Sequence, residues 1–528
     1  MNRILLLLLF ALIFNSCKET EKKDLTEEPR PIAEVFGEFY EFKKSINPIE
    51  ATKAGYSKYN DTIANYISDD YIFHLKDRYT YFLEELDKYD STKVSTADWM
   101  SLRVMKWDCS VKLQGVMNPI VTVASPIYDL PSFELMPLFQ IQSLHLYVAQ
   151  LAGGTSVQPF KAIEDYNNWL SRLDDYLIFL DTSIDKMKVG MEKGVVLPRV
   201  LTLKMLPQVR AFIDIPLKEN LFYQPILNFP DGISDVDKDI LESNYAAFIK
   251  DKLTPKYVEL NKFLTEEYLP KCRETSGLLD LPNGKETYQY LIKLHTTTTM
   301  NADEIHELGL SEVARISSEM EIVKNQIGFK GNLKSFFNSL RTRKELMPFN
   351  NPEEVIANFN AINDRIALRI DSLFELTPKA GFNVRRTEAF REASASAEYT
   401  PGSKDGDPYQ YFGMLSMEMH RAIRLVVDTG LHAKGWSREQ AIRYSLDNEA
   451  ESEESIIAEV ERYMATPGQA LSYKLGQLKI RELRTKAEKA LGANFNIREF
   501  HSQILNSGSL PLVLLEEKLD GWIASQSK

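Results

Sequence analysis

Apolar residues recur every three or four positions along most of this 528-residue sequence, whereas sustained alternation of apolar and polar residues is scarce. Spacing of that kind places apolar side chains along one face of an α-helix. Residues that favour helix starts precede several of the periodic stretches, as at Asn301 with Glu304, Asn351 before Pro352, and Ser437 with Gln440. The sequence therefore predicts a mostly α fold, with long helices that include Ala97–Val111, Ile163–Met187 and Leu253–Leu269.

The interruptions of this helical pattern are short. They fall at Pro126–Pro137, Pro216–Pro230 and Thr377–Asp407, and none of them is a long low-complexity linker. We therefore predict one large helical domain over residues 32–528, with at most a small β element. Thr377–Tyr399 is the best candidate for a short strand pair, because its residues alternate weakly. Thr466 before Pro467 predicts the start of a long helix that ends near Gly492.

Residues 1–16 are predicted to be a lipoprotein signal peptide. Ile4–Phe14 is an apolar run of eleven residues after a short positive start, which is too short to span a bilayer. Ser16-Cys17 then places a small residue before a cysteine, the pattern of bacterial lipid attachment. Residues 17–31 are interpreted as the lipidated Cys17 and a charged tether. We expect a bacterial envelope protein, anchored in a membrane and facing the periplasm or the cell surface; the alternative is a secretory signal with an incidental cysteine.

Charge and cysteine content exclude some classes of protein. The formal net charge of −12 argues against a nucleic-acid partner, which requires a basic face for phosphate. Beyond Cys17 the sequence has only Cys109 and Cys272, which form no CxxC pair and no disulfide framework. Two unpaired thiols are the simpler interpretation, and a single disulfide between them is the alternative.

Local catalytic motifs are missing from the sequence. There is no GxSxG nucleophile turn and no phosphate-binding glycine loop. A helical zinc site would need HExxH, and no two of the seven histidines lie three to five positions apart. The nearest approach is His306-Glu307, where Leu310 occupies the position of the second histidine. We interpret His306 as a residue of helix packing or of the surface.

A line of polar residues on an apolar helix is the strongest candidate site. Arg424, Asp428 and His432 are spaced by four and therefore share one helix face, among aliphatic neighbours. Charged groups in such surroundings must be paired or line a cavity. They could form a cleft wall that holds a substrate carboxylate or an oxyanion, in which Asp428 orients His432. The alternative is a buried structural network.

Two further candidates lie elsewhere. Gln469 and Tyr473 are also four apart, and a tyrosine hydroxyl that faces a cleft could stabilise an oxyanion. Helix packing is the alternative for this pair. His295, followed by Thr296–Thr299, is a third candidate, although its hydroxyl neighbours could simply cap a turn.

Several stretches of the sequence together carry a family resemblance. They are Asp407–Leu415 (DPYQYFGML), Arg421–Ile442, Pro467–Gln477 (PGQALSYKLGQ) and Ser507–Leu512 (SGSLPL), with weaker likenesses at Gly194–Val209 and Tyr290–Met320. In this order they resemble the bacterial domain-of-unknown-function 885 family, over roughly Gly194–Trp522. Members of that family look like mostly helical zinc metallopeptidases. The resemblance thus implies a peptidase-like scaffold, with zinc as the cofactor of intact members.

The resemblance also implies that a segment is missing between Gly406 and Asp407. In the family, an HE-x-x-PGHH pattern and one like EGWALYAE precede DPYQYFG, but here Pro401–Gly406 runs straight into Asp407. Those patterns would supply the zinc ligands and the base, so we expect neither zinc nor another cofactor in this chain. The loss of central helices should leave a cavity, exposed apolar surface, or helices that collapse inward.

Two functions remain open at this stage. The first is an envelope-anchored lipoprotein with a metallopeptidase-like scaffold that is inactive because the zinc-binding segment is absent. The second is a non-catalytic lipoprotein that binds peptides or has a structural role. The expected partners are the membrane, through the lipid anchor, and peptides.

Overall fold

The computed structural model describes residues 29–122, 131–153, 157–341, 343–346, 348–377, 379, 382, 384 and 408–526. Most of these residues are helical, so the predicted mostly α fold class is confirmed. Within this part of the chain, no helix combines the length and the apolar character needed to cross a bilayer. Cys17 and the signal peptide lie outside the described residues.

The α-helices follow one another along the whole described chain. In order they are α1 (Ile32–Ile46), α2 (Pro48–Lys53), α3 (Asp69–Leu86), α4 (Thr96–Val116), α5 (Leu144–Ala152), α6 (Ile163–Lys193), α7 (Arg199–Arg210), α8 (Gln224–Leu227), α9 (Asp235–Phe248), α10 (Thr254–Lys262), α11 (Gly284–Thr296), α12 (Ala302–Gln326), α13 (Leu333–Arg341), α14 (Pro352–Leu373), α15 (Pro408–Ala433), α16 (Arg438–Asn448), α17 (Glu453–Ala465), α18 (Ser472–Leu491), α19 (Ile497–Leu505) and α20 (Leu512–Gln526). π-helical turns at Ile249–Leu253 and Phe263–Tyr268 flank α10, so the predicted helix at Leu253–Leu269 is part of a longer helical run.

Local capping signals place several helix starts correctly. At the start of α12 the backbone N–H of Glu304 donates to the side-chain oxygen of Asn301, at 3.0 Å. The backbone N–H of Asn301 donates in return to the Glu304 carboxylate, at 2.9 Å. Ser437 and Gln440 form the same reciprocal box before α16. Such boxes satisfy backbone donors that the first helical turn leaves free, which is why the sequence alone reveals them.

The predicted helix start at Thr466-Pro467 is wrong. Thr466 is the C-cap of α17, and α18 begins only at Ser472, after a 3₁₀ turn at Gln469–Leu471. Gly468 has φ +82°, a left-handed conformation, and its N–H donates to the Asp428 carboxylate at 3.0 Å. This hydrogen bond and backbone conformation hold the chain out of the helix. The predicted end near Gly492 is confirmed, because α18 ends at Leu491.

The β structure of the described residues is a single short pair. Strand β1 (Val121–Thr122) pairs antiparallel with β2 (Ser132–Phe133), with Val121 opposite Phe133. The sequence predicted a strand pair at Thr377–Tyr399 instead. Most of that range lies outside the described residues, so that prediction remains a prediction.

One extended hydrophobic core joins α1–α13, α15–α17 and the start of α18, and within it α12 packs closely against α15. Gly309 permits this close approach, because a Cβ atom there would lie 2.8 Å from the side chains of Leu425 and Val426. A smaller core joins the C-terminal half of α18 to α19 and α20.

Cys109 is buried in α4 and Cys272 is partly exposed; both thiols are free.

Candidate functional site

The predicted polar line lies on α15, where the core surrounds it. Asp428 and His432 are fully buried, and Arg424 is 9% exposed. Each of the three side chains makes hydrogen bonds, so none is left as an unpaired charge in apolar surroundings. The partners differ, however, and they divide the line into a buried part and a part that reaches the surface.

His432 joins three segments of the chain through its two ring nitrogens. The backbone N–H of Leu278 donates to Nδ1 at 3.1 Å, and Nε2 lies 3.0 Å from the carbonyl oxygen of Tyr463. This arrangement requires the neutral tautomer with its proton on Nε2. Burial lowers the pKa of His432 to about 3, which also favours the neutral ring. Both nitrogens are therefore engaged with the backbone.

Asp428 makes a separate set of contacts. It accepts a hydrogen bond from the Tyr288 hydroxyl at 2.5 Å and another from the N–H of Gly468 at 3.0 Å. Burial raises the pKa of Asp428 to about 7, although both hydrogen bonds act in the opposite direction. Asp428 and His432 thus hydrogen-bond to different partners, and neither orients the other directly.

Arg424 belongs to a cluster of polar side chains from α15, α17, α18 and the segments that follow α16 and α17. This polar cluster comprises His420, Arg424, Glu449, Glu459, Arg462, Tyr463, Gln469 and Tyr473. Arg424 Nε donates to the Tyr463 hydroxyl at 3.1 Å, and Nη2 donates to Glu459 at 3.0 Å. The Arg424 guanidinium lies 5.2 Å from the ring centroid of Tyr473, a cation–π contact.

Glu459 is the centre of the polar cluster. Besides the bond from Arg424, its carboxylate accepts hydrogen bonds from Arg462 at 2.8 Å and from the Tyr463 hydroxyl at 2.7 Å. Burial would raise the pKa of Glu459, but hydrogen bonds with His420 and Arg462 and the two guanidinium charges lower the pKa well below its ordinary value. Glu459 is therefore a carboxylate throughout the physiological pH range.

His420 connects α15 to the segment that carries Glu449. Its Nδ1 lies 2.6 Å from a carboxylate oxygen of Glu449. Burial would lower the pKa of His420, but the bonds with Glu449 and Glu459 raise it above its ordinary value. Arg424 Nη2 also lies 3.1 Å from Nε2 of His420, and a guanidinium group can only donate, so Nε2 accepts this bond and Nδ1 donates to Glu449. His420 therefore connects Arg424 to Glu449.

Gln469 and Tyr473 lie where the polar cluster meets solvent. The side-chain oxygen of Gln469 accepts a hydrogen bond from Arg462 Nη1 at 2.8 Å. Tyr473 is 49% exposed, so its ring covers Arg424 from the solvent side. The structure thus brings Arg424, Gln469 and Tyr473 together, whereas Asp428 and His432 lie behind them in the core.

Sequence reasoning missed five members of the polar cluster. His420 stands one turn before Arg424, so the spacing of four that revealed the polar line extends back to it. Glu459, Arg462 and Tyr463 are spaced by three and four and share one face of α17. Glu449 precedes α17 in an irregular segment, and no local signal identifies it.

The other histidines named from the sequence have different surroundings. His306 hydrogen-bonds through Nδ1 to the Thr429 hydroxyl at 2.8 Å, and it meets the ring of Trp436 edge-on. It therefore packs α12 against α15, as interpreted from the sequence. His295 lines a small cavity together with Thr466, Pro467 and Gln469. Burial lowers the pKa of His295 to about 4.

The polar cluster does not fit the zinc ion that the family resemblance implies. Its three candidate donors, His420, Glu449 and Glu459, face the guanidinium groups of Arg424 and Arg462, and a zinc ion there would meet two permanent cations at close range. His432 uses both ring nitrogens for the backbone. In the described part of the chain, no group of three or more His, Cys, Asp or Glu side chains could hold a metal ion.

Comparison with solved structures finds a similar fold in two bacterial proteins. The crystal structure of a protein provisionally assigned as a lipoprotein, from Colwellia psychrerythraea, matches with a TM-score of 0.84 and 22% identity; the match covers 94% of this chain and 99% of the other. A second such protein of unknown function, from Shewanella oneidensis, matches with a TM-score of 0.66 and 13% identity, over 92% and 99% of the two chains. At these identities the likeness concerns the fold.

The family comparison covers most of the sequence. No curated protein matches the chain. The family described as "Bacterial protein of unknown function (DUF885)" matches residues 48–407 and 405–519. The two matched stretches meet where Pro401–Gly406 runs into Asp407, the position at which the family resemblance implies a missing segment. This chain is therefore a member of the bacterial DUF885 family.

Proposed function

We propose that this chain is a membrane-anchored lipoprotein of the bacterial envelope that binds peptides through the polar cluster and does not cleave them. Cys17 carries the anchor in this proposal, and the peptidase-like scaffold presents the binding surface. The provisional assignment of both structural neighbours as lipoproteins supports the anchor. The donor arrangement of the polar cluster, which lacks room for a metal between its cations, supports the absence of catalysis.

One observation carries the peptide-binding role. Arg424 donates from Nε and Nη2, but its Nη1 has no hydrogen-bond partner among the described residues. A guanidinium that is otherwise fixed by Tyr463 and Glu459 keeps a preformed geometry, so little side-chain entropy is lost when a ligand binds. The free Nη1 is thus available to a carboxylate.

The permanent charge of the Arg424 guanidinium favours the same ligand. A peptide C-terminal carboxylate would pair with the free Nη1 of this group. A hydrogen bond between charged groups contributes about 1.5–3 kcal/mol, which corresponds to roughly a tenfold to hundredfold change in affinity. The exposed ring of Tyr473 offers an apolar surface beside the charge, which suits the last side chain of a peptide.

The experiment compares peptides that differ only in their C-terminus. Binding of a short peptide library with free carboxylates, and of the same peptides as C-terminal amides, is measured by isothermal titration calorimetry with the full chain. We expect the free acids to bind at least about tenfold more tightly. Mass spectrometry of the recovered peptides should show them intact.

Three variants locate the interaction. Arg424→Gln and Tyr473→Ala should remove the preference for the free carboxylate, and Tyr473→Ala also guards against misfolding because the ring is half exposed. Arg484→Gln changes an exposed arginine of α18 that pairs with Glu488, and it should leave the preference unchanged. Equal binding of acids and amides, or a preference that survives both cluster variants, would refute the proposal.

A further inference from the structure

We propose that a cavity between α13, α14 and the N-terminal part of α15 binds an anionic diacyl lipid with a phosphate head group. The cavity has a volume of about 1200 Å³. The cavity lies beside Tyr409, close in sequence to the junction at Asp407. The inference concerns different residues from the polar cluster, and it does not depend on peptide binding.

The apolar face of α14 lines the cavity. Near its C-terminus α14 meets α19, where His501 Nδ1 lies 2.8 Å from the carbonyl oxygen of Leu373. Ile362, Ile366, Ile370 and Leu373 recur at helical spacing on this face and line the cavity, yet none of the side chains of α14 is buried. Phe412 and Met417 of α15 lie across the cavity. An amphipathic helix is normally stabilised by burial of such a face, so α14 requires an apolar occupant.

The volume of the cavity indicates the size of that occupant. Pockets of about 300–1,000 Å³ enclose ligands of drug size, and this cavity is larger. The cavity is partly open to solvent, so its apolar lining stays in contact with water unless a ligand covers it. A ligand with two acyl chains fits the space better than one with a single chain.

Charged groups at the cavity define the head group. Arg365 and Arg369 lie one turn apart on α14 and line the cavity, and neither guanidinium has a hydrogen-bond or ion-pair partner among the described residues. Glu345 is the one carboxylate among the lining residues, so a positive charge remains. Two adjacent guanidinium groups suit the oxygen atoms of a phosphate, which each can bind with paired donors. Along α14 the apolar residues thus lie next to the arginines. An anionic amphiphile needs this arrangement, with apolar contacts for its chains and cations for its head group.

Photo-crosslinking tests this site in the protein as it exists. The full chain is incorporated into vesicles that contain phosphatidylglycerol with a photoreactive group in one acyl chain, and crosslinked peptides are identified by mass spectrometry. We expect crosslinks concentrated in Pro352–Leu373 and Pro408–Met417. Phosphatidylcholine with the same photoreactive chain should give several-fold fewer crosslinks there, because it lacks the net negative charge.

Two pairs of variants separate the cavity from general attraction to the bilayer. The double variant Arg365→Gln, Arg369→Gln should reduce the phosphatidylglycerol crosslinks about tenfold. The double variant Lys271→Gln, Lys330→Gln removes the same charge from exposed positions elsewhere and should have no such effect.

Gly413→Leu should abolish the crosslinks, because a Cβ atom at Gly413 meets nothing within 4 Å and the new side chain can enter the cavity. Gly37→Leu, at a similarly open helical position of α1, is the matched control.

The outcomes decide the proposal in either direction. Crosslinks in the two named peptides that depend on both arginines and on the open space at Gly413 would establish the lipid site. Crosslinks spread over the surface of the protein, equal labelling by the two lipids, or labelling unaffected by Gly413→Leu would each overturn it. A folded Gly413→Leu protein, shown by unchanged circular dichroism, keeps a loss of labelling interpretable.

Discussion

The hydroxyl of Tyr288 donates a 2.5 Å hydrogen bond to the carboxylate of Asp428, and both side chains are buried between α11 and α15. The same carboxylate fixes Gly468 through its backbone N–H, and Gly468 precedes the turn that carries Gln469 into the polar cluster. Asp428 therefore acts on the candidate site indirectly, by positioning the backbone. A carboxyl group without an ion-pair partner in this position also makes stability depend on pH.

The first prediction is that the contribution of Asp428 to stability is lost as pH rises from about 4 to about 7, against the opposite contributions of the buried histidines His295 and His432. The pKa of Asp428 is raised from an ordinary value near 4 to about 7 by burial, so the folded state holds a proton that the unfolded chain releases. The protonated Asp428 makes its full stabilising contribution below about pH 4. This contribution falls as pH rises through about 7, the pKa of Asp428 in the folded state. The slope from this group is at most about 1.4 kcal/mol of unfolding free energy per pH unit.

Asp428→Asn isolates this contribution. The amide oxygen can still accept from Tyr288 and Gly468, but the side chain no longer titrates. Urea unfolding at several pH values should show that the free-energy difference between Asp428→Asn and the wild type changes as pH rises from about 4 to about 7, whereas the difference for Asp239→Asn, at an exposed carboxylate, should stay constant. Parallel pH profiles for the wild type and Asp428→Asn would contradict the prediction.

The second prediction concerns the ion-pair network that joins α12, α15 and α18. Lys474 is fully buried, and its ammonium group lies 2.8 Å from Glu312 and 3.0 Å from Glu418. Removal of the ammonium group leaves the negative charges of two buried carboxylates less well neutralised. Breaking a buried ion pair in this way costs about 3–5 kcal/mol of unfolding free energy. Lys474→Met should lower the free energy of unfolding by that amount, as measured by urea denaturation.

Lys486→Met provides the matched control for this measurement. Lys486 also lies on α18 and pairs with Asp520, but its side chain is 45% exposed. Exposed pairs contribute about 0–1 kcal/mol, so the control should be nearly neutral. A similar loss in both variants would show that the buried network does not have the stabilising role assigned to it.

The third prediction concerns the anchor. The apolar run that ends at Ser16-Cys17 motivates acylation of Cys17. Mass spectrometry of the membrane fraction should find an acylated N-terminal Cys17, and Cys17→Ala should weaken membrane association. Cys272→Ala, which changes a partly exposed thiol of the folded domain, should leave it unchanged. Equal membrane association of the Cys17→Ala protein would count against the anchor.

Local signals in the sequence were sufficient for much of the fold and for part of the site. The capping box at Asn301 and the spacing of Arg424, Asp428 and His432 both depend on residues within one or two helical turns. Such signals persist in any tertiary context, because they arise from helix geometry. They predicted the helical class, several helix starts and the face of α15 that carries the polar line.

Long-range packing accounts for what the sequence did not reveal. Glu459 meets Arg424 across 35 positions of sequence, and only the packing of α17 against α15 brings them together. Lys474 lies in a stretch that would suit an exposed helix, yet it is fully buried because Glu312 and Glu418 converge on it. The start of α18 was misplaced for the same reason, since Asp428 binds the Gly468 N–H from another helix.

The last prediction is that this chain binds no stoichiometric zinc and hydrolyses no peptide. A zinc-activated water needs about three protein ligands and a base within hydrogen-bond reach. Neither HE-x-x-PGHH nor EGWALYAE occurs between Met1 and Lys528. The nearest donors, His420 and Glu459, are occupied by Glu449 and by two guanidinium groups.

Elemental analysis of the purified full chain should therefore find well under one zinc per molecule, and added zinc should produce no peptide cleavage. Because His420 is assigned to an ion pair and not to a metal, His420→Gln should leave the metal content unchanged. About one tightly bound zinc per chain, lost in that variant together with chelator-sensitive hydrolysis, would mean that residues of the polar cluster rearrange into a metal site.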